Sequence, residues 1–200
     1  MIETVEFKTV EFKTVEKIAI IGPSGAGKTT LAKKLGSRLG LKVYHLDRFF
    51  WRPDWRRESR ETRIDLLKSF VQKKRWIIEG TYLNSSELHL KEADVIIFLD
   101  FSPFVCLPRR IRRHLEFKGR QRCDIPKGSV DKLSLLVLFQ GLVFPLTVRR
   151  KLEKKLRKFF PEKIIRLESP EKVAQLEMYI GEKKQFTSSP MKKKDLISSR

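Results

Sequence analysis

The residues most able to do chemistry lie close together near the start of the chain. Gly22, Pro23, Ser24, Gly25, Ala26, Gly27, Lys28 and Thr29 complete the pattern G-x-x-x-x-G-K-[ST], and Thr30 follows at once. Glycines at this spacing let the backbone turn and bring its N–H groups against phosphate oxygens with no Cβ in the way. A helix that starts at the lysine points its positive N-terminus at the same anion. In such a loop the lysine reaches the β and γ phosphates of a nucleotide, and the Thr29 hydroxyl binds a magnesium ion. A chance match in a chain of this length is expected in roughly one sequence in a hundred.

A carboxylate must complete the magnesium shell. Asp47, Glu79 and Asp100 each close an apolar run that reads as a strand. On pattern alone Asp100 is the best placed, because four apolar residues precede it. Between Asp47 and Glu79 lies RFFWRPDWRR, where Trp51 and Trp55 stand beside Arg48, Arg52, Arg56 and Arg57. Such residues can stack on a ring and bind an anionic group. They can equally form a small satellite core with amphipathic arginine stems. His45 and His114 have no paired ligands and read as structural.

The elements that must position these residues follow from periodicity. KIAII, the glycine loop and then Leu31, Leu35 and Leu39 four apart give strand, loop and helix. Further strands are expected at 41–47, 76–79, 94–100 and 163–168. Helices are expected at 61–74, from Pro103 to 117, at 130–143 and at 171–180, the last with Ser169 as its cap and Pro170 in its first turn. Strands alternating with helices make an α/β fold with a mainly parallel sheet. Before the first strand, TVEFK occurs twice and is followed by TVEK. A period of five puts equivalent residues on opposite faces of a strand. Residues 1–16 therefore read as a repetitive extension that prolongs the first strand or frays from it. Residues 17–180 form the domain, and 181–200 a basic, disordered tail.

Composition sets the class. The 200 residues carry 44 Lys or Arg against 24 Asp or Glu, a formal net charge of +20, with 40% hydrophobic residues. This excludes a collagen-like or wholly disordered chain. Two cysteines, Cys106 and Cys123, without CxxC spacing, read as reduced thiols in a cytoplasmic protein. No secretory leader is evident. The apolar stretch 133–148 is about one turn too short to span a bilayer. It reads as a buried helix, with a membrane-surface helix or a subunit contact as the other uses. The charge is focused at 109–122 and at 149–158, each net +6, which suggests a polyanionic partner such as nucleotide phosphates or a nucleic-acid backbone.

With these residues in hand, the chain resembles the P-loop kinases of the adenylate kinase type, and within them the bacterial DNA topology modulation proteins. The resemblance covers Lys17 to about Ile180. It rests on IIGPSGAGKTTLAKKLG, VYHLDRFFWRPDW, RWIIEGTY, VIIFLD and the Arg-rich helix followed by GRQRCD. It implies a P-loop three-layer sandwich with a five-stranded parallel sheet in order 2-3-1-4-5, an Arg-rich helical lid, and ATP and Mg2+ as cofactors. The third strand then neighbours the first, which ranks Glu79 above Asp100 as the metal's acid. Glu79 and Gly80 stand where adenylate kinases end the third strand with an Asp-Gly pair; the change from Asp to Glu keeps the charge but adds a methylene, so the expected ligation of the metal is through water. Aligned from the fourth strand, Arg109 and Arg113 fall on the two arginines that open the lid; Arg120 and Arg122 are candidate partners for closing it. Asp47 takes the place from which kinases of small hydroxylated molecules bind or deprotonate the acceptor, with Arg48, Trp51 and Gly80 beside it.

The reading is an ATP-dependent, Mg-requiring phosphotransferase acting on a nucleotide, nucleoside or other small acceptor, with Lys28, Asp47, Arg109 and Arg113 as its catalytic set. The alternative is an ATP-binding regulator associated with nucleic acid that transfers little phosphate. The first implies a small-molecule partner, no transmembrane segment and a monomer or homodimer, with nucleic acid as a secondary partner.

Overall fold

Strands buried on both faces need apolar side chains on both, and KIAII, WIIE and VIIFL supply them. The structure, a computed structural model, describes residues 6–53, 55–82, 86–122, 124–130, 139 and 141–185. Its strands are β1 (Lys17–Ile21), β2 (Val43–His45), β3 (Trp76–Glu79), β4 (Val95–Leu99) and β5 (Ile164–Leu167). All neighbours pair in parallel, in the order β2-β3-β1-β4-β5. The register sets Ile20 beside Glu79, His45 beside Glu79, and Leu99 beside Leu167. The ends of five strands therefore gather along one edge, where the loops that follow them meet.

The helices are α1 (Lys28–Leu39), α2 (Leu46–Phe50), α3 (Arg60–Val71), α4 (Ser86–Glu92), α5 (Pro103–Glu116), α6 (Arg150–Phe159) and α7 (Pro170–Gln185). Alternation along each strand divides the core in two. Ala19, Ile21, Ile78, Ile96 and Phe98 pack with Leu46, Leu67, Leu90, Leu152 and Leu156 of α2, α3, α4 and α6. Ile18, Ile20, Ile77, Ile97 and Leu99 pack with Leu31 and Leu35 of α1 and Leu176 and Ile180 of α7. The result is a three-layer α/β/α sandwich.

Several expectations shift. The N-terminal repeat does not prolong β1. Residues 7–9 form a short 3-10 turn, and Phe12 and Val15 are buried against the α1/α7 layer. The rings of Phe7 and Phe12 meet Tyr179 edge-on at 5.9 and 6.5 Å, and the Tyr179 hydroxyl donates to Lys8 O. A five-residue period cannot hold one face of a strand, but it can place two rings on one tyrosine. β2 stops at His45, and the chain turns straight into α2, so Asp47 lies on a helix and not at a strand end. α7 runs to Gln185, past the expected boundary. Ser169 caps it by accepting from Lys172 N at 3.4 Å. Most of the helix expected at 130–143, Cys123 and the tail from 186 onward lie outside the described residues. Among the described residues, no helix is long and apolar enough to cross a membrane.

Candidate active site

The glycine loop joins β1 to α1, and two of its positions leave no room for a side chain. A Cβ on Gly22 would stand 2.4 Å from Leu99 O, and one on Gly25 would stand 2.3 Å from Cys106 O, both at positive φ. β4 and α5 thus close on the loop from one side. On the other, the Thr81 hydroxyl accepts from Gly22 N at 2.9 Å and donates to Gly22 O at 2.8 Å, fixing the loop to the chain leaving β3. Lys28 opens α1 and donates from Nζ to Gly22 O at 3.0 Å and Pro23 O at 2.9 Å. Burial pushes its ammonium below the ordinary lysine value, against the pull of Glu79 and Asp47.

Thr29 faces two acids. Its Oγ1 lies 3.1 Å from Glu79 Oε1 and 3.1 Å from Asp124 Oδ2. Glu79 also receives His45 Nδ1 at 2.9 Å. Asp124 comes from the loop after α5 and is paired with Arg122, whose Nε meets Oδ1 at 3.1 Å and whose Nη2 meets Oδ2. Burial alone would push the Asp124 carboxyl up, but the Arg122 charge and hydrogen bond hold it below the ordinary value. One hydroxyl hydrogen can serve only one of two buried carboxylates. A divalent cation among these oxygens would satisfy both, and hard oxygen donors of this kind suit magnesium.

Asp100, the best candidate by pattern, is placed differently. Arg149 meets it at 2.6 Å (Nε to Oδ1) and 2.7 Å (Nη2 to Oδ2), and Arg166 Nε at 2.8 Å. Its carboxylate is therefore held by two guanidiniums, with Glu153 closing the network at 3.4–3.5 Å. Arg149 leads the second basic run, so part of that run serves the sheet edge.

The arginines of α5 also sort by geometry. Arg110 Nη1 donates to Ser24 Oγ at 2.6 Å, and the charge of Arg113 acts on both Lys28 and Asp124. Arg109 stands over the Phe101 ring at 5.7 Å. The helix thus presents arginines three apart to the loop, where the resemblance placed a pair four apart. Arg120 and Arg48 are exposed.

Across the cleft, Asp47 is open to solvent yet walled by protein. Desolvation and the Glu79 charge push its carboxyl above the ordinary value, against Tyr82 and Lys28. Tyr82 donates to Asp47 Oδ1, and the Trp51 indole N–H donates to the Tyr82 oxygen at 2.9 Å. Gly80 carries the chain past Leu46, whose Cβ would lie 2.9 Å from a Cβ there. Trp55 Nε1 donates to Val130 O at 3.0 Å and Ser129 Oγ to Pro53 O at 2.8 Å, tying this arm to the segment beyond Asp124.

The structure thus brings together the glycine loop, Lys28, Thr29, Glu79, Asp47 and Arg113. It adds Thr81, Tyr82, Arg110 and Asp124, which had not been singled out. Asp124 ends GRQRCD and Tyr82 ends RWIIEGTY, so both lay within quoted motifs, but no local spacing aimed either at the loop.

A parallel 2-3-1-4-5 sheet with its glycine loop between β1 and α1 defines a P-loop kinase fold. No family model matches the chain. Over 128 residues it is 30% identical to a Pyrococcus furiosus protein named "Putative adenylate kinase", covering 62% of this chain and 68% of that one. Over 128 residues it is 32% identical to a protein of the same name from Methanocaldococcus jannaschii, covering 61% and 67%. Among solved structures, the shikimate kinase from Acinetobacter baumannii in complex with shikimate shares the fold, with a TM-score of 0.57 at 19% identity over 89% of this chain and 98% of that one. The chain belongs to the adenylate kinase-type family of P-loop kinases. The narrower likeness to topology modulation proteins stays a resemblance.

Proposed function

We propose that this protein transfers the γ-phosphoryl group of ATP to a hydroxyl of a small acceptor. The observation that carries this reading is Asp47, a solvent-exposed residue whose carboxylate is electrostatically coupled to both Lys28 and Glu79. Loop N–H groups and the start of α1 hold the donor phosphates. Lys28 leaves its contacts with Gly22 O and Pro23 O to reach the β and γ oxygens, while Arg110 and Arg113 meet the charge that spreads over the transferring group. Thr29, Glu79 and Asp124 would hold magnesium, which when bound neutralises charge on the β and γ phosphates.

The acceptor oxygen attacks the γ phosphorus. The new O–P bond forms as the bond to the β–γ bridging oxygen breaks, the electron pair leaves with ADP, and Asp47 takes the hydroxyl proton. Glu79 and Asp124 both raise the cost of ionising Asp47. Three acids in one cleft favour a neutral hydroxyl acceptor over a phosphate such as that of AMP.

The reading is tested by incubating the protein with γ-labelled ATP and magnesium against AMP, nucleosides and small hydroxylated acids. Label on a hydroxyl compound, with none on AMP, is expected. Transfer to AMP at comparable rates would overturn the acceptor assignment.

A further inference from the structure

Two motifs particular to this chain, HLDRFFWRPDW and EGTY, meet at one carboxylate through residues more than thirty positions apart in sequence. Trp51 belongs to the first, Tyr82 to the second, and Asp47 is their common target. The direction of the hydrogen bonds follows from the groups. An indole N–H can only donate, so the Tyr82 oxygen accepts it. The single phenolic hydrogen is then committed to Asp47 Oδ1. Oδ2 has no partner among the described residues.

The surroundings hold this arrangement in place. The Arg57 guanidinium lies over both rings, 5.3 Å from Trp51 and 5.7 Å from Tyr82. A backbone bridge joins Trp51 to Arg57. Tyr82 is buried and meets Phe50 edge-on at 4.8 Å. Trp51 has its N–H committed and Arg57 stacked on it, so it is not the free stacking platform that its sequence context suggests.

We propose that Trp51 and Tyr82 are positioning residues that act through Asp47. Their relay fixes Oδ1, keeps the carboxylate in one orientation, and leaves Oδ2 as the oxygen that receives the acceptor's proton. This rests on the reading of the protein as a hydroxyl kinase. The groups that face Asp47 are Glu79 from β3, Lys28 from α1, Asp124 from the loop after α5, and Tyr82 itself. Of these, Tyr82 is the one that hydrogen-bonds the carboxylate, and a bond to the charged form favours that form.

The test needs no acceptor. In the full-length protein labelled with 13C at aspartate carboxyls, the Asp47 resonance is assigned by its loss in Asp47→Asn and followed through a pH titration. Tyr82→Phe keeps the ring against Phe50 and removes only the hydroxyl. The Asp47 pKa is expected to rise by about one unit in Tyr82→Phe, and by less in Trp51→Phe, where the relay loses only its outer member. A melting curve and circular dichroism check that each variant folds. An Asp47 titration unmoved in Tyr82→Phe overturns the proposal, and one moved by Tyr82→Phe but not by Trp51→Phe overturns the part given to Trp51. Failure to find any hydroxyl acceptor would sink the hydroxyl-kinase reading while leaving this titration readable, so the two failures are distinguishable.

Discussion

The two halves of the cleft are built in different ways. The donor half is one continuous stretch, Gly22 to Thr29, whose Gly22 and Gly25 are demanded by Leu99 O and Cys106 O pressing on them. The acceptor half is assembled from Asp47 on α2, Trp51 and Arg57 beyond it, and Tyr82 after β3. Its members are joined by side-chain hydrogen bonds and ring contacts instead of a backbone motif. Phosphate is the same in every nucleotide, so the backbone can bind it. An acceptor differs from kinase to kinase, and side chains must then supply the fit.

Removing Lys28 should break the donor half most severely. Lys28→Ala is expected to lower phosphoryl transfer about 10³-fold, as loss of one positioned donor to developing charge does elsewhere. Steady-state rates with labelled ATP would show it, and a variant that retains wild-type turnover contradicts the assignment. Asp100→Asn sharpens the contrast between the two strand-end acids. It leaves Arg149 and Arg166 beside a neutral amide and should cost about 3 kcal/mol of stability, read from urea unfolding. Turnover measured well below the melting temperature should change little, because the Asp100 carboxylate is held by Arg149 and Arg166 and by no residue of the phosphate loop.

A smaller effect is expected beneath the acceptor half. His89 of α4 is fully buried, its ring nitrogens have no hydrogen-bond partner among the described residues, and burial pushes its pKa down to about 3. The unfolded chain therefore takes up this proton first. The His89 contribution is complete above pH 6.5 and is lost as pH falls from 6.5 toward 3. At pH 5 the loss amounts to about 2 kcal/mol. His89→Leu should flatten the acid limb of the stability curve, and equal acid sensitivity in both proteins would argue against it.

How far the sequence reaches follows the same division. The glycine loop, β3 at Trp76–Glu79 and the sheet order follow from local apolar runs and the resemblance, and the structure agrees. Asp100 misled because its partners are distant: Arg149 is 49 residues away and Arg166 is 66 away. No local pattern reveals that a strand-end acid is already engaged. Arg110 and Arg109 differ by 100° around α5, a choice that the helix's docking makes and its composition does not. Asp124 was hidden among arginines, where an acid reads as charge relief, although its pairing with Arg122 places it on Thr29. Tyr82 was visible in EGTY, but its chemistry depends on Asp47, 35 residues earlier.

The central claim is that Asp47 receives a hydroxyl proton while the glycine loop binds the donor. The direct measurement is turnover of Asp47→Asn with the hydroxyl acceptor found by labelled ATP, alongside binding of Mg-ATP by calorimetry. Asn keeps the shape and removes the base, so kcat should fall about 10²- to 10⁴-fold while the dissociation constant for Mg-ATP stays within about threefold. A variant that turns over at the wild-type rate would contradict the account.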